Sequence, residues 1–123
     1  KNQVMVYRRD THEKFPLSMD NLVEELQKLL EDIQNTLFQR ALEFRESRTW
    51  VSKSYDELKE SFEKETGYAK VMLCDDQDCE DKIKDETGIS TRCIPFDKED
   101  LGYDTCIVCG KKTDRMMIMG KSY

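Results

Sequence analysis

Cys106-Ile107-Val108-Cys109-Gly110-Lys111 sets two thiols two residues apart, the knuckle spacing from which both sulfurs can face one metal ion. Gly110 lets the backbone curl so that amides point at sulfur. Cys74 and Cys79 form a second pair in C-x4-C spacing, at the expected end of a strand and start of a helix, where the helix dipole favours a thiolate. The two pairs are separated by a spacer of 26 residues, and four soft ligands of this kind point first to a tetrahedral structural Zn2+.

Three other uses of the cysteines are weaker. A redox dithiol at Cys106 and Cys109 would open a helix after a strand, whereas Gly110 and the residues after it read as a turn. An iron–sulfur cluster accepts four cysteines but usually takes them closely spaced along the chain. A catalytic zinc keeps a position open for water, and four cysteines close the shell. Asp75, Asp76, Asp78, Glu80 and Asp81 crowd the first pair and read as a solvated face with helix N-terminal charge. Cys93 reads as a buried strand thiol, and His12, the single histidine, as an exposed bystander in a charged loop. Arg40, Arg45 and Arg48 fit the negative end of a helix dipole better than a phosphate site, since Glu43 and Glu46 are interleaved with them.

The elements that must position these groups follow from local signals. Val4 to Tyr7 is a short strand running into a loop, and a lone strand needs partners, expected either upstream of Lys1 or from another part of the molecule. Ser18 is placed as an N-cap, with Leu17 and Leu22 as a hydrophobic staple, and Leu22, Leu26, Leu29, Leu30, Ile33 and Leu37 carry one long helix to about Arg45. Ser54 and Glu57 make a capping box for a second helix, expected to stop at Gly67. Strands are expected at Tyr68 to Leu73, Ile89 to Phe96 and Arg115 to Met119, with a helix from Cys79 to Thr87 stopped by Gly88. The whole reads as α+β.

The chain has 123 residues with 20 basic and 26 acidic side chains, a formal charge of -6 that argues against a basic nucleic-acid clamp. Residues from Tyr68 on carry 9 basic and 12 acidic groups, and four thiolates with Zn2+ add a formal -2. So short a segment builds little core, and a structural metal would compensate. No apolar run is long enough to span a membrane, and five cysteines confined to positions 74–109 fit a reduced, cytoplasmic compartment better than a disulfide framework. Lys1-Asn2-Gln3 lacks an initiator Met, which suggests a piece of something longer.

Taken in order, Arg8-Arg9-Asp10-Thr11, the helix through Leu29-Leu30-Glu31-Asp32-Ile33-Gln34, Cys74 with Cys79-Glu80-Asp81-Lys82-Ile83-Lys84, Glu86-Thr87-Gly88, Arg92-Cys93-Ile94-Pro95-Phe96, the Cys106 knuckle and a terminal Tyr123 resemble the C-terminus of prolyl-tRNA synthetases of the archaeal and eukaryotic type. The resemblance implies a homodimeric class II enzyme that activates proline with ATP and Mg2+ and transfers it to tRNA(Pro). It implies that residues 1–49 end an α/β anticodon-binding domain, 50–67 form a connecting helix, and 68–123 form a zinc-binding domain with Cys74, Cys79, Cys106 and Cys109 on the metal. It implies further that the Tyr123 carboxylate turns back toward the catalytic domain, with no catalytic or ATP-binding residue in this chain. His12 stands where that family usually has glycine, and Met72-Leu73 where an aromatic is common. The cysteine pattern alone would equally serve a free-standing zinc-ribbon interaction module.

Overall fold

A computed structural model describes residues 2–122. The chain divides into two compact units, Lys1–Phe44 and Arg45–Tyr123.

The first unit is a hairpin with a helix. β1 (Gln3–Tyr7) pairs antiparallel with β2 (Lys14–Ser18), Val4 facing Leu17 and Val6 facing Phe15. Of the two expected sources of a partner, the structure shows the one within the molecule, in a segment that Lys14 and Pro16 disguised. Proline is tolerated in a two-stranded ribbon because each strand has an unpaired edge. In the turn between them His12 takes φ 62, the left-handed conformation that explains why glycine suits this place. Ser18 ends a strand rather than capping a helix, and α1 starts at Leu22 and runs to Ser47 over 26 residues. None of its residues is buried.

The second unit has a four-stranded sheet in the order β3-β4-β6-β5, from β3 (Thr49–Val51), β4 (Tyr68–Met72), β5 (Ile89–Cys93) and β6 (Met116–Lys121). β3 is parallel to β4, while β6 is antiparallel to both β4 and β5. Between strands come α2 (Tyr55–Lys64) and α3 (Gln77–Thr87). The Ser54 hydroxyl accepts from the Glu57 amide at 3.2 Å, as the capping box requires, and Glu57 Oε2 accepts from the Lys53 amide at 2.9 Å.

α2 stops at a Glu65 cap, two residues before the glycine expected to end it. Gly67 answers to space instead, because a Cβ there would stand 2.1 Å from the Arg48 carbonyl oxygen. α3 begins two residues before Cys79, capped by Asp76, and ends as expected at Gly88 with φ 73. β5 stops at Cys93, ahead of Pro95, instead of reaching Phe96.

Leu58, Phe62, Ile83 and Ile89 pack with Ala69, Val71, Met117 and Met119 in one buried cluster that also contains Cys74, Cys79 and Cys106. The methionine-rich strand is thus core. Met72 and Met116 pack with Leu101 in a smaller cluster backed by Val51 and Tyr103. Tyr103 ties that side down by donating to the Ser52 carbonyl at 2.6 Å and accepting from the Met72 amide at 2.9 Å. No helix among the described residues is long and apolar enough to cross a membrane.

Candidate metal centre

The end of β4, the first turn of α3 and the 106–109 turn bring Cys74, Cys79, Cys106 and Cys109 together, with all four sulfurs within 4.8 Å of one another. Cys74 Sγ lies 3.6 Å from that of Cys79 and 3.7 Å from that of Cys109. Four sulfurs about 2.3 Å from one tetrahedral zinc stand about 3.8 Å apart, so the thiols have the separations that such an ion asks for. Three of the four are buried and Cys109 is exposed. The group could hold one metal ion.

Local backbone geometry makes the cluster. Cys106 donates its amide to the Lys111 carbonyl at 2.7 Å, and Gly110 donates back to the Cys106 carbonyl at 2.9 Å. Gly110 takes φ 74, so its place in the knuckle needs the left-handed conformation. The Ile107 amide donates to the Met72 carbonyl at 2.9 Å, fastening the knuckle to the end of β4. Arg115 Nη1 donates to the Cys74 carbonyl at 2.9 Å, and Lys111 Nζ lies 3.7 Å from the Asp76 carboxylate. Arg115 thus holds the backbone of one of the four cysteines, and Lys111 pairs with the residue that caps α3.

Burial pushes the thiols of Cys74 and Cys79 up. Burial acts on Cys106 in the same sense, but backbone hydrogen bonds at Cys109, Cys74 and Val108 outweigh it and bring this thiol down to about 7. Amides aimed at sulfur are what a thiolate ligand needs, and they are in place around Cys106 before any cation arrives.

The other sequence candidates fall elsewhere. Cys93 lies on edge strand β5, away from the four, and is exposed, correcting the expectation of a buried thiol. His12 is exposed in the first unit, where its Nδ1 lies 2.9 Å from the Tyr7 hydroxyl. The acidic run is structural: Asp76 caps α3, Asp81 accepts from Gln77 and Glu80 accepts from Thr91. Arg40 donates to the Asp10 carbonyl at 3.1 Å. Tyr123 and Lys1 lie outside the described residues. Arg115 and Lys111 escaped the sequence reading, since nothing local marks an arginine that acts 41 residues away.

Fold and site together define a small α+β protein with a cluster of four cysteines that could hold one metal ion. Residues 55–123 match the family described as prolyl-tRNA synthetase, C-terminal. The chain belongs to that family. It is 45% identical over 122 residues to a proline--tRNA ligase of Alkaliphilus oremlandii, covering 99% of this chain and 25% of that protein. It is also 45% identical over 123 residues to a proline--tRNA ligase 2 of Bacillus thuringiensis subsp. konkukian, covering 100% and 26%. The crystal structure of the prolyl-tRNA synthetase from Cryptosporidium parvum complexed with halofuginone and AMPPNP superposes with a TM-score of 0.90 at 28% identity, over 100% of this chain and 26% of that one. The chain spans about a quarter of the length of the curated relatives it matches.

Proposed function

We propose that this chain serves as the C-terminal portion of a proline--tRNA ligase, which attaches proline to tRNA(Pro) in two steps using ATP and Mg2+. The observation that carries this reading is the likeness of the chain, along its whole length, to about a quarter of proteins of that name, with residues 55–123 matching the family's C-terminal model. Residues 1–49 would then complete an anticodon-binding domain and 68–123 form a zinc-binding domain. The segment 50–67 joins them, and its helix α2 lends Leu58 and Phe62 to the second unit's core.

In this reading the metal is a structural Zn2+ on Cys74, Cys79, Cys106 and Cys109, and it supplies a cross-link rather than chemistry on substrate. The chain's own residues do the positioning: β4 and α3 present one pair of thiols, the knuckle presents the other, and Arg115 holds the Cys74 carbonyl. The enzyme works as a homodimer in the cytoplasm, and Tyr123 carries its carboxylate toward the catalytic domain. No residue of this chain is assigned to proline activation.

Proline-dependent exchange of pyrophosphate into ATP by the full-length gene product tests the reading. Exchange with proline and charging of tRNA(Pro) are expected. A full-length product that exchanges with a different amino acid, or with none, would overturn it.

A further inference from the structure

β5 and β6 pair regularly at Ile89 with Lys121, Ser90 with Gly120 and Thr91 with Met119, then slip so that Cys93 faces Ile118. Arg92 is the extra residue in that slip. A bulge of this kind redirects a side chain out of the ladder's alternation. The Arg92 guanidinium lies along the end of β6: Nη2 donates to the Ser122 hydroxyl at 2.8 Å, and Nε is 3.0 Å from where a Cβ on Gly120 would stand. The Tyr68 ring comes within 3.3 Å of the same point. Gly120 does not adopt the left-handed backbone, unlike Gly88, Gly102 and Gly110, so it is glycine because two side chains occupy the space above it.

We propose that Arg92 is a positioning residue for the C-terminal tail. The bulge delivers its guanidinium, Gly120 leaves room for it, and Ser122 is what it grips. A short exposed segment beyond a strand frays unless something ties it down, and at Ser122 the tie comes from the edge strand rather than from the metal cluster. The clamp sets the direction in which the chain leaves β6. Its consequence for catalysis rests on the ligase reading, in which Tyr123 must arrive at a fixed place.

The test uses the full-length ligase, zinc-loaded, with two readouts: release of the terminal tyrosine by a carboxypeptidase, and charging kinetics. Arg92→Gln should speed release about fivefold, the factor for losing one exposed hydrogen bond, with an unchanged melting temperature. Arg92→Lys, which keeps a donor and the charge, should restore most of the protection. Gly120→Ala should speed release as well, by pushing the guanidinium off Ser122. Unchanged release in Arg92→Gln would overturn the clamp, as would faster release accompanied by a lower melting temperature that lysine does not rescue. Faster release with a lower kcat at unchanged KM for proline supports both clamp and ligase reading. Faster release with unchanged charging supports the clamp and removes Tyr123 from catalysis.

Discussion

In the first unit what is buried among the described residues is ionic, Arg8 with the side chain of Asp10, whereas the second buries leucine, isoleucine, valine and methionine around four thiols. Arg8 reaches Asp10 within the hairpin's own turn at 2.7 Å and Asp32 on α1 at 2.5 Å, so one ion pair joins hairpin and α1. The apolar stripe of α1 leaves Leu26 37%, Leu30 65% and Leu37 47% exposed. Amphipathic periodicity thus specifies a helix in the first unit without supplying it a core. In the second unit, shorter helices are fixed by what they bury.

The sharpest way to break this contrast is to remove the metal. Elemental analysis should find one Zn2+ per chain, and chelation or Cys106→Ser should abolish cooperative unfolding of the second unit, since structural zinc contributes about 10–16 kcal/mol to folding in small peptide systems. Hairpin amide signals of the first unit should be unaffected. Their loss together with those of the second would erase the distinction.

Truncating one leucine in each unit measures the difference more finely. Leu58 is fully buried, and Leu58→Ala should cost about 2–5 kcal/mol in urea unfolding. Leu30→Ala should change stability by no more than about 0.5 kcal/mol. Comparable losses at both sites would mean that α1 is packed as well as α2.

Acid should act on the first unit through Asp10. The Arg8 guanidinium holds its carboxyl below the usual carboxylate range, so the group contributes stability that is whole above the ordinary value of about 3.9 and is lost as pH falls through the lowered one. Amide protection in β1 and β2, followed by NMR below about pH 4, should fall in the native chain, whereas in Arg8→Gln it should start lower and lose this pH dependence. A pH-independent profile in the native chain would count against an ionic tie.

The smallest effect is expected at Cys93, exposed and outside the cluster. Cys93→Ser should keep its full metal content and shift stability by less than about 0.5 kcal/mol. Loss of metal equal to that in Cys106→Ser would put Cys93 among the ligands.

What could be read beforehand was what is written locally. Ser54 with Glu57, Gly88, and the two cysteine pairs declare themselves within a few residues; the cap and the stop land in their expected roles, and the two pairs come together in one cluster. β2 was hidden because Pro16 and Lys14 are poor strand residues and only pairing with β1 makes them one. β3 was hidden because three residues carry no periodicity. Ser18 and Gly67 misled because each residue type has a second use, one in a strand end, the other where chains approach closely. Cys93 was misjudged because the edge of a sheet cannot be told from its middle in one strand's sequence. Arg115 and Arg92 act at long range, beyond any local pattern.

The knuckle also bears on how quickly the second unit can assemble. Met72 pairs with Met116 at the end of the β4–β6 ladder, so an open chain must close a loop of roughly 44 residues to start that pairing. An ion already gripping Cys74 and Cys109 shortens the segment left to close to roughly nine residues. The difference in closure entropy is about 1.4 kcal/mol, or about tenfold in the chance of the two strands meeting. A metal captured early would make a distant strand pair behave kinetically like a hairpin.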